Sequence, residues 1–134
     1  MTKKSVLLRF TILLYIIATL HIAALYFSWY WEFWWYDIMM HFLGGFWLFG
    51  MGFLLLFFSK TKRPHLSIYG CAFALLLIIG MLWELFEFSL DTLVVFQSND
   101  LVDTVSDIGM DIAGGLVAFL VVKNVKHSLY DHEQ

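Results

Sequence analysis

Asp103-Thr-Val-Ser-Asp107-Ile-Gly-Met-Asp111-Ile-Ala-Gly114-Gly115 opens the last long apolar segment of this chain. Spacings of four and eight place Asp103, Asp107 and Asp111 in one stripe down one face of a helix. Carboxylates at membrane depth are costly, so they turn towards a polar interior and mark function. The segment around them is otherwise apolar, and so is most of the chain. Of 134 residues, 61% are hydrophobic, 19% are aromatic and 14% are charged. A soluble domain has roughly 45–50% apolar and about 25% charged residues. Composition therefore predicts a polytopic membrane protein, and it points to no nucleic-acid partner. The lone Cys71 can form no internal disulfide, and paired-Cys zinc patterns are absent from the sequence. The basic start and first apolar run look like a signal peptide. The run lasts too long and lacks an Ala-x-Ala-like end, so it is expected to stay as a helix.

Four spans are predicted, at about 6–28, 37–58, 66–88 and 101–122, forming a single domain over 1–134. Each can cross about 30 Å of hydrocarbon at about 1.5 Å per residue. Between the first two lies Trp29-Tyr-Trp-Glu-Phe-Trp-Trp-Tyr36, read as an interfacial aromatic belt in preference to an aromatic-lined lipid groove. Ser59-Lys-Thr-Lys-Arg-Pro-His65 is a basic turn. Ser89 to Asp100 is a loop with an apolar patch, Leu93–Phe96, and Lys123 to Gln134 is a polar tail.

The charges sort cleanly. All eight basic residues fall at the start, in the turn after span two, or in the tail. Nine of the eleven acidic residues lie on or near the opposite side, the exceptions being Asp131 and Glu133. The positive-inside rule then makes both termini cytoplasmic in the plasma membrane.

An internal echo appears at an offset of 70 residues: Asp37-Ile-Met-Met-His41-Phe-Leu-Gly44-Gly45 against Asp107-Ile-Gly-Met-Asp111-Ile-Ala-Gly114-Gly115. It suggests two repeated helical hairpins about an axis along the membrane normal, with His41 and Asp111 as counterparts. The glycine pairs suit close helix approach in lipid.

Polar groups recur at one depth. Asp37 and His41 begin span two, Glu84 and Glu87 end span three, and Asp103, Asp107 and Asp111 descend into span four. His21 sits at a similar depth in span one and reads as a hydrogen-bonding partner of a neighbouring helix. Asp37 and Asp103 also suit helix starts, where carboxylates cap free N–H groups. Glu84 and Glu87 sit near a helix C-terminus, where the dipole disfavours anions, and no Lys or Arg lies in that half to pair with them. Asp107 and Asp111 are too deep to be caps. Several carboxylates cannot all stay ionised at low dielectric without a counter-charge. A divalent metal cation can neutralise them, or some can hold protons. Oxygen-rich sites suit Mg²⁺, Ca²⁺ or Mn²⁺, and one His moves the balance towards Mn²⁺, Fe²⁺ or Zn²⁺. A di-iron bundle would show Glu-x-x-His twice, where this chain has Glu84-x-x-Glu87.

Trp35-Tyr-Asp-Ile-Met-Met-His-Phe-Leu-Gly-Gly-Phe46, Trp83-Glu-Leu-Phe-Glu-Phe88 and Val102–Gly115 resemble the small membrane proteins called YjdF-like, and more distantly the VanZ-like superfamily. In those proteins an Asp-x-x-x-His motif opens one helix, a Glu motif closes the next, and an Asp motif before a Gly opens the last. The resemblance implies an envelope protein, with a loose link to glycopeptide resistance and no settled reaction. VanZ-like proteins often carry Gln or Asn at some of these positions, and Glu87 and Asp111 make the site here more acidic.

The expectation is an all-α, integral membrane four-helix bundle. Its site under the outer leaflet has His41, Glu84, Glu87, Asp107 and Asp111 as metal ligands, with Asp37 and Asp103 at the rim. Glu84 or Glu87 is the candidate catalytic base, acting on a lipid or cell-envelope head group. The alternatives are a proton- or ion-coupled transporter, possible as a homodimer, and an accessory subunit.

Overall fold

The computed structural model describes residues 3–59, 65–90 and 101–130, all but a few of them helical and none in a strand. The helices are α1 (Lys3–Phe27), a single turn α2 (Trp29–Glu32), α3 (Trp34–Phe58), α4 (His65–Leu90) and α5 (Leu101–Tyr130). Four of them are long and apolar enough to cross a membrane: Lys3–Phe27, Trp34–Phe58, Ser67–Leu90 and Leu101–Asn124. Each overlaps its expected span, with ends that differ by up to three residues. The basic turn between spans two and three, the Leu93–Phe96 patch and the end of the tail lie outside the described residues.

The helices end where local chemistry demands. Ser28 takes a left-handed backbone (φ 61°) and breaks the first span from α2, and Phe33 is extended and separates α2 from α3. That corner divides the aromatic belt. Trp31, Phe33, Trp34 and Trp35 stay exposed, as interfacial anchors would. Tyr36 turns inward, and its hydroxyl donates to the Leu20 carbonyl at 3.0 Å.

α3 is the hub. It packs against α5 above all, then α4, then α1. Its meeting with α5 is a backbone crossing. A side chain at Gly45 would run into the Asp111 main chain, and one at Gly114 into the Phe42 carbonyl. Only glycine at both positions lets the helices come this close, which is how helices associate in lipid without a hydrophobic driving force. The contact uses the second glycine of the first pair, set against Asp111, and the first glycine of the second pair, set against Phe42 and Phe46, whereas the sequence echo aligns Gly44 with Gly114. Gly44 instead faces open space. α1 and α4 are also unequal neighbours of the central pair. α4 packs on both α3 and α5, whereas α1 is held mainly by α3 and α2.

Besides the Tyr36–Leu20 bond, α1 is fastened to α3 around Phe10. The Trp47 indole donates to the Phe10 carbonyl at 2.8 Å, and the Phe10 ring stacks on Phe46 where Gly50 leaves room for it. Away from the polar end, Phe49, Phe53, Leu54, Ile68, Ala72, Leu76, Ala118 and Val122 form a dry core. The polar groups therefore gather at one end of the bundle and the packed apolar core fills the other.

Candidate functional site

Three helix ends build the polar cluster. Asp37 and His41 lie one turn apart in the first turns of α3, so they share a face. Glu84 and Glu87 lie in the last two turns of α4, and Asp107 and Asp111 lie in the second and third turns of α5. The α3–α5 crossing brings the first and third pairs together, and α4 covers them.

His41 is the centre. Its Nε2 stands 3.8 Å from Asp37 Oδ1, 3.8 Å from Glu84 Oε1 and 4.0 Å from Glu87 Oε2. Its Nδ1 stands 3.5 Å from Asp111 Oδ1. Two overlapping groups result, Asp37–His41–Asp107 and His41–Glu84–Glu87, in each of which one donor atom per residue lies within 4.8 Å of the others. Donors bonded to one ion at about 2.0–2.2 Å stand roughly 3–4 Å apart, so these spacings suit a shared cation. Asp111 faces the other ring nitrogen, the place where a carboxylate orients a metal-binding imidazole.

Burial sharpens the case. Glu84 is 7% exposed and Asp107 only 2%. Glu84 Oε1 and Asp107 Oδ1 are fully buried and have no hydrogen-bond partner among the described residues. A buried carboxylate oxygen left without a partner is expensive. Asp103 lies exposed on the first turn of α5 and joins neither group. Asp111 also joins neither group and meets the cluster through His41 Nδ1.

A cleft of about 290 Å³ adjoins the cluster. Asp37, His41, Glu87 and Asp111 form its polar wall, while Leu14, Ile17, Ala18, Leu48 and Ile79 make much of the rest. Glu84 and Asp107 sit behind that wall. His21 also lines the cleft and shares a 2.7 Å hydrogen bond with the Tyr30 hydroxyl from α2. Burial, and then the charge of Asp37, pushes the Tyr30 phenol above its ordinary range, so it keeps its proton. The sequence reading gave Tyr30 to the aromatic belt and Gly44 to close helix approach, quoted Trp83 only within a motif, and passed over Gly80. Gly80 had a usable signal, because it precedes Glu84 by one turn on the same face. A side chain there would stand 2.7 Å from Asp111 Oδ2.

Four apolar spans around one buried His–carboxylate cluster define a polytopic membrane protein with a ligand-type site at one end of its bundle. A family model described as "Predicted membrane protein (DUF2238)" matches residues 3–128. The chain belongs to that family, which agrees with a YjdF-like membrane protein of unknown function. No curated protein and no solved structure matches the chain.

Proposed function

We propose that this protein binds a divalent cation at the His41 cluster and uses it on the head group of a lipid or other envelope amphiphile. The observation that carries the reading is the pair of buried, unpartnered oxygens, Glu84 Oε1 and Asp107 Oδ1, beside an imidazole that faces carboxylates on both ring nitrogens. The donor set of one nitrogen and several oxygens suits Mn²⁺, Fe²⁺ or Zn²⁺. Asp37, His41, Glu84, Glu87 and Asp107 would hold the ion, and Asp111 would fix the orientation of His41. When bound, the ion would polarise a phosphoryl or carbonyl oxygen and activate water.

The chain's own residues divide the remaining work. Glu87 is half-buried and lines the cleft, so it can take a proton from an incoming group. Glu84 is enclosed behind it and suits a ligand. The apolar walls keep bulk water away from the cluster. The charge sorting supports a plasma-membrane protein with cytoplasmic termini and a site under the outer leaflet, and the likeness to VanZ-like proteins fits an envelope role.

Elemental analysis of the protein purified in detergent, beside a Glu84→Ala/Asp111→Ala double variant, tests the reading. The expected result is a divalent metal in the parent that is lost from a still-inserted variant. A parent that holds no metal, and takes up none from added Mn²⁺, Fe²⁺ or Zn²⁺, overturns it. Proton flux in vesicles without any metal would instead favour the transporter reading.

A further inference from the structure

We propose that the cleft between α1 and α4 holds the single hydrocarbon chain of a membrane amphiphile and presents its phosphate head to the polar wall at Asp37, His41, Glu87 and Asp111. The head-group half of this rests on the cation reading above, because an anion needs the ion to approach these carboxylates. The chain half stands on the shape of the cleft alone.

The walls come from one stripe on each of three spans. Leu14, Ile17, Ala18 and His21 face in from α1, and Ile79, Gly80, Trp83 and Glu87 from α4. The floor is α3, through Asp37, Met40, His41, Gly44 and Leu48. α1 and α4 flank α3 but barely approach each other. Their side chains do meet at the level of the cluster, where His21 and Trp83 lie edge to face with centroids 5.9 Å apart. That contact spans the polar end of the gap and leaves the side between the two helices as the way in. Both walls belong to membrane spans, so an occupant entering from the side comes from the bilayer.

Size restricts the occupant. At roughly 30 Å³ per water-sized group, 290 Å³ takes about ten such groups. That is enough for the first part of a hydrocarbon chain, whose remainder would trail into the surrounding lipid. Gly44 shows that the space is built into the floor. A Cβ there meets nothing within 4 Å, although the position lies in the middle of the most enclosed helix. A side chain added at 44 would therefore start into the cleft without its Cβ meeting protein atoms. Apolar walls closed by a few convergent polar groups are the usual make-up of a small-molecule site.

The test uses the full chain in phosphatidylcholine vesicles and photolabelling by hexadecyl phosphate carrying a diazirine along its chain. Labels should map to Leu14, Ile17, Ala18, Leu48 and Ile79, and unlabelled hexadecyl phosphate should suppress them. Gly44→Leu should cut this labelling about tenfold or more, given what a single methylene of misfit costs in an apolar pocket. Gly70→Leu is the control, since Gly70 also faces open space but lies outside the cleft. Labelling indifferent to Gly44→Leu, failure of competition in the parent protein, or equal labelling of the same residues by a diacyl diazirine lipid overturns the proposal. The competition arm needs no variant, so it holds even if Gly44→Leu inserts poorly. Cation content is read separately. Labelling that depends on Gly44 in a protein without metal removes the cation reading and leaves the chain site standing. A metal-loaded protein whose labelling ignores Gly44→Leu does the reverse.

Discussion

Replacing each of the four paired glycines by alanine should give three different outcomes, although all four substitutions are chemically identical. At Gly45 the new Cβ would stand 2.6 Å from Asp111 C and Cα, where ordinary contact begins at 3.4 Å. Subtracting 2.6 from 3.4 gives a shortfall of 0.8 Å, so α3 and α5 must move apart by at least that much. At Gly114 the corresponding atom is Phe46 N at 2.7 Å. These obstructions are main-chain atoms inside helices and cannot rotate away. Overpacking costs about 1–3 kcal/mol, and a rigid obstruction belongs at the upper end. Alanine recovers about 0.5–1 kcal/mol of helix propensity over glycine. The net expectation for Gly45→Ala and Gly114→Ala is a loss of about 2 kcal/mol each.

The neighbouring positions should behave otherwise. Gly44→Ala meets open space and should gain about 0.5–1 kcal/mol. Gly115→Ala meets the Leu76 Cδ1 methyl at 2.5 Å, the far end of a flexible side chain, and should be close to neutral. Unfolding of the detergent-solubilised protein by titrated SDS, followed by tryptophan fluorescence, reads all four. Retained cation should fall with Gly45→Ala as well, because the Asp37–His41–Asp107 group straddles the crossing. Equal costs for Gly44→Ala and Gly45→Ala would refute the crossing, and with it the way the cluster is assembled.

Glu84→Gln should lower the cation retained after dialysis while the protein still inserts, and Asp103→Asn, on an exposed residue, should leave it unchanged; equal effects would argue against a localised site. Tyr36→Phe removes the hydroxyl that donates to Leu20 and should cost about 1 kcal/mol in the same SDS titration. A reporter fused after Gln134 should be cytoplasmic and one inserted in the Ser89–Asp100 loop should not; an external C-terminal reporter would overturn the span count. Cation binding should release protons, so the heat of Mn²⁺ binding should depend on the ionisation enthalpy of the buffer and affinity should rise with pH. A buffer-independent heat would mean that the carboxylates are already bare.

The spans and the shared depth of the polar groups were legible because hydropathy and charge placement act along the chain. Val6–Ser28 and Lys3–Phe27 describe the same span, and so do Asp37–Phe58 and Trp34–Phe58. The convergence of His41 with Glu84, Glu87, Asp107 and Asp111 followed from their positions near helix ends. What could not be read was lateral arrangement. In lipid the outer face of a helix is as apolar as its packed face, so patterning does not say which helix is the hub. α3 holds that place because Gly45, Gly50 and Gly52 let neighbours in. The 70-residue echo located the right glycines but not their register. Gly45 and Gly114 make the close approach instead of the echoed pair Gly44 and Gly114, and Gly44 is left to line a cleft. Within the belt at Trp29–Tyr36, the hydrogen bonds of Tyr30 to His21 and of Tyr36 to the Leu20 carbonyl depend on α1 lying alongside, which patterning along the chain does not reveal.

The charge balance at the cluster explains why so many acids can share one end of an apolar bundle. Asp37, Glu84, Glu87, Asp107 and Asp111 face one imidazole, and no Lys or Arg among the described residues lies at that end. Helix dipoles give little relief. They act within the first or last turn, where Asp37 benefits at the start of α3. Asp107 and Asp111 lie beyond the first turn of α5, and Glu84 and Glu87 approach the unfavourable end of α4. Even a charged His41 leaves the acids in excess. A divalent cation would offset two of the remaining charges, and protons would have to meet the rest. Affinity for the cation is thereby tied to proton release, and the acids on the cleft wall stay responsive to whatever enters it. Glu84 and Asp107, sealed behind that wall with oxygens unpartnered, are the groups with least access to water and the most to gain from an ion.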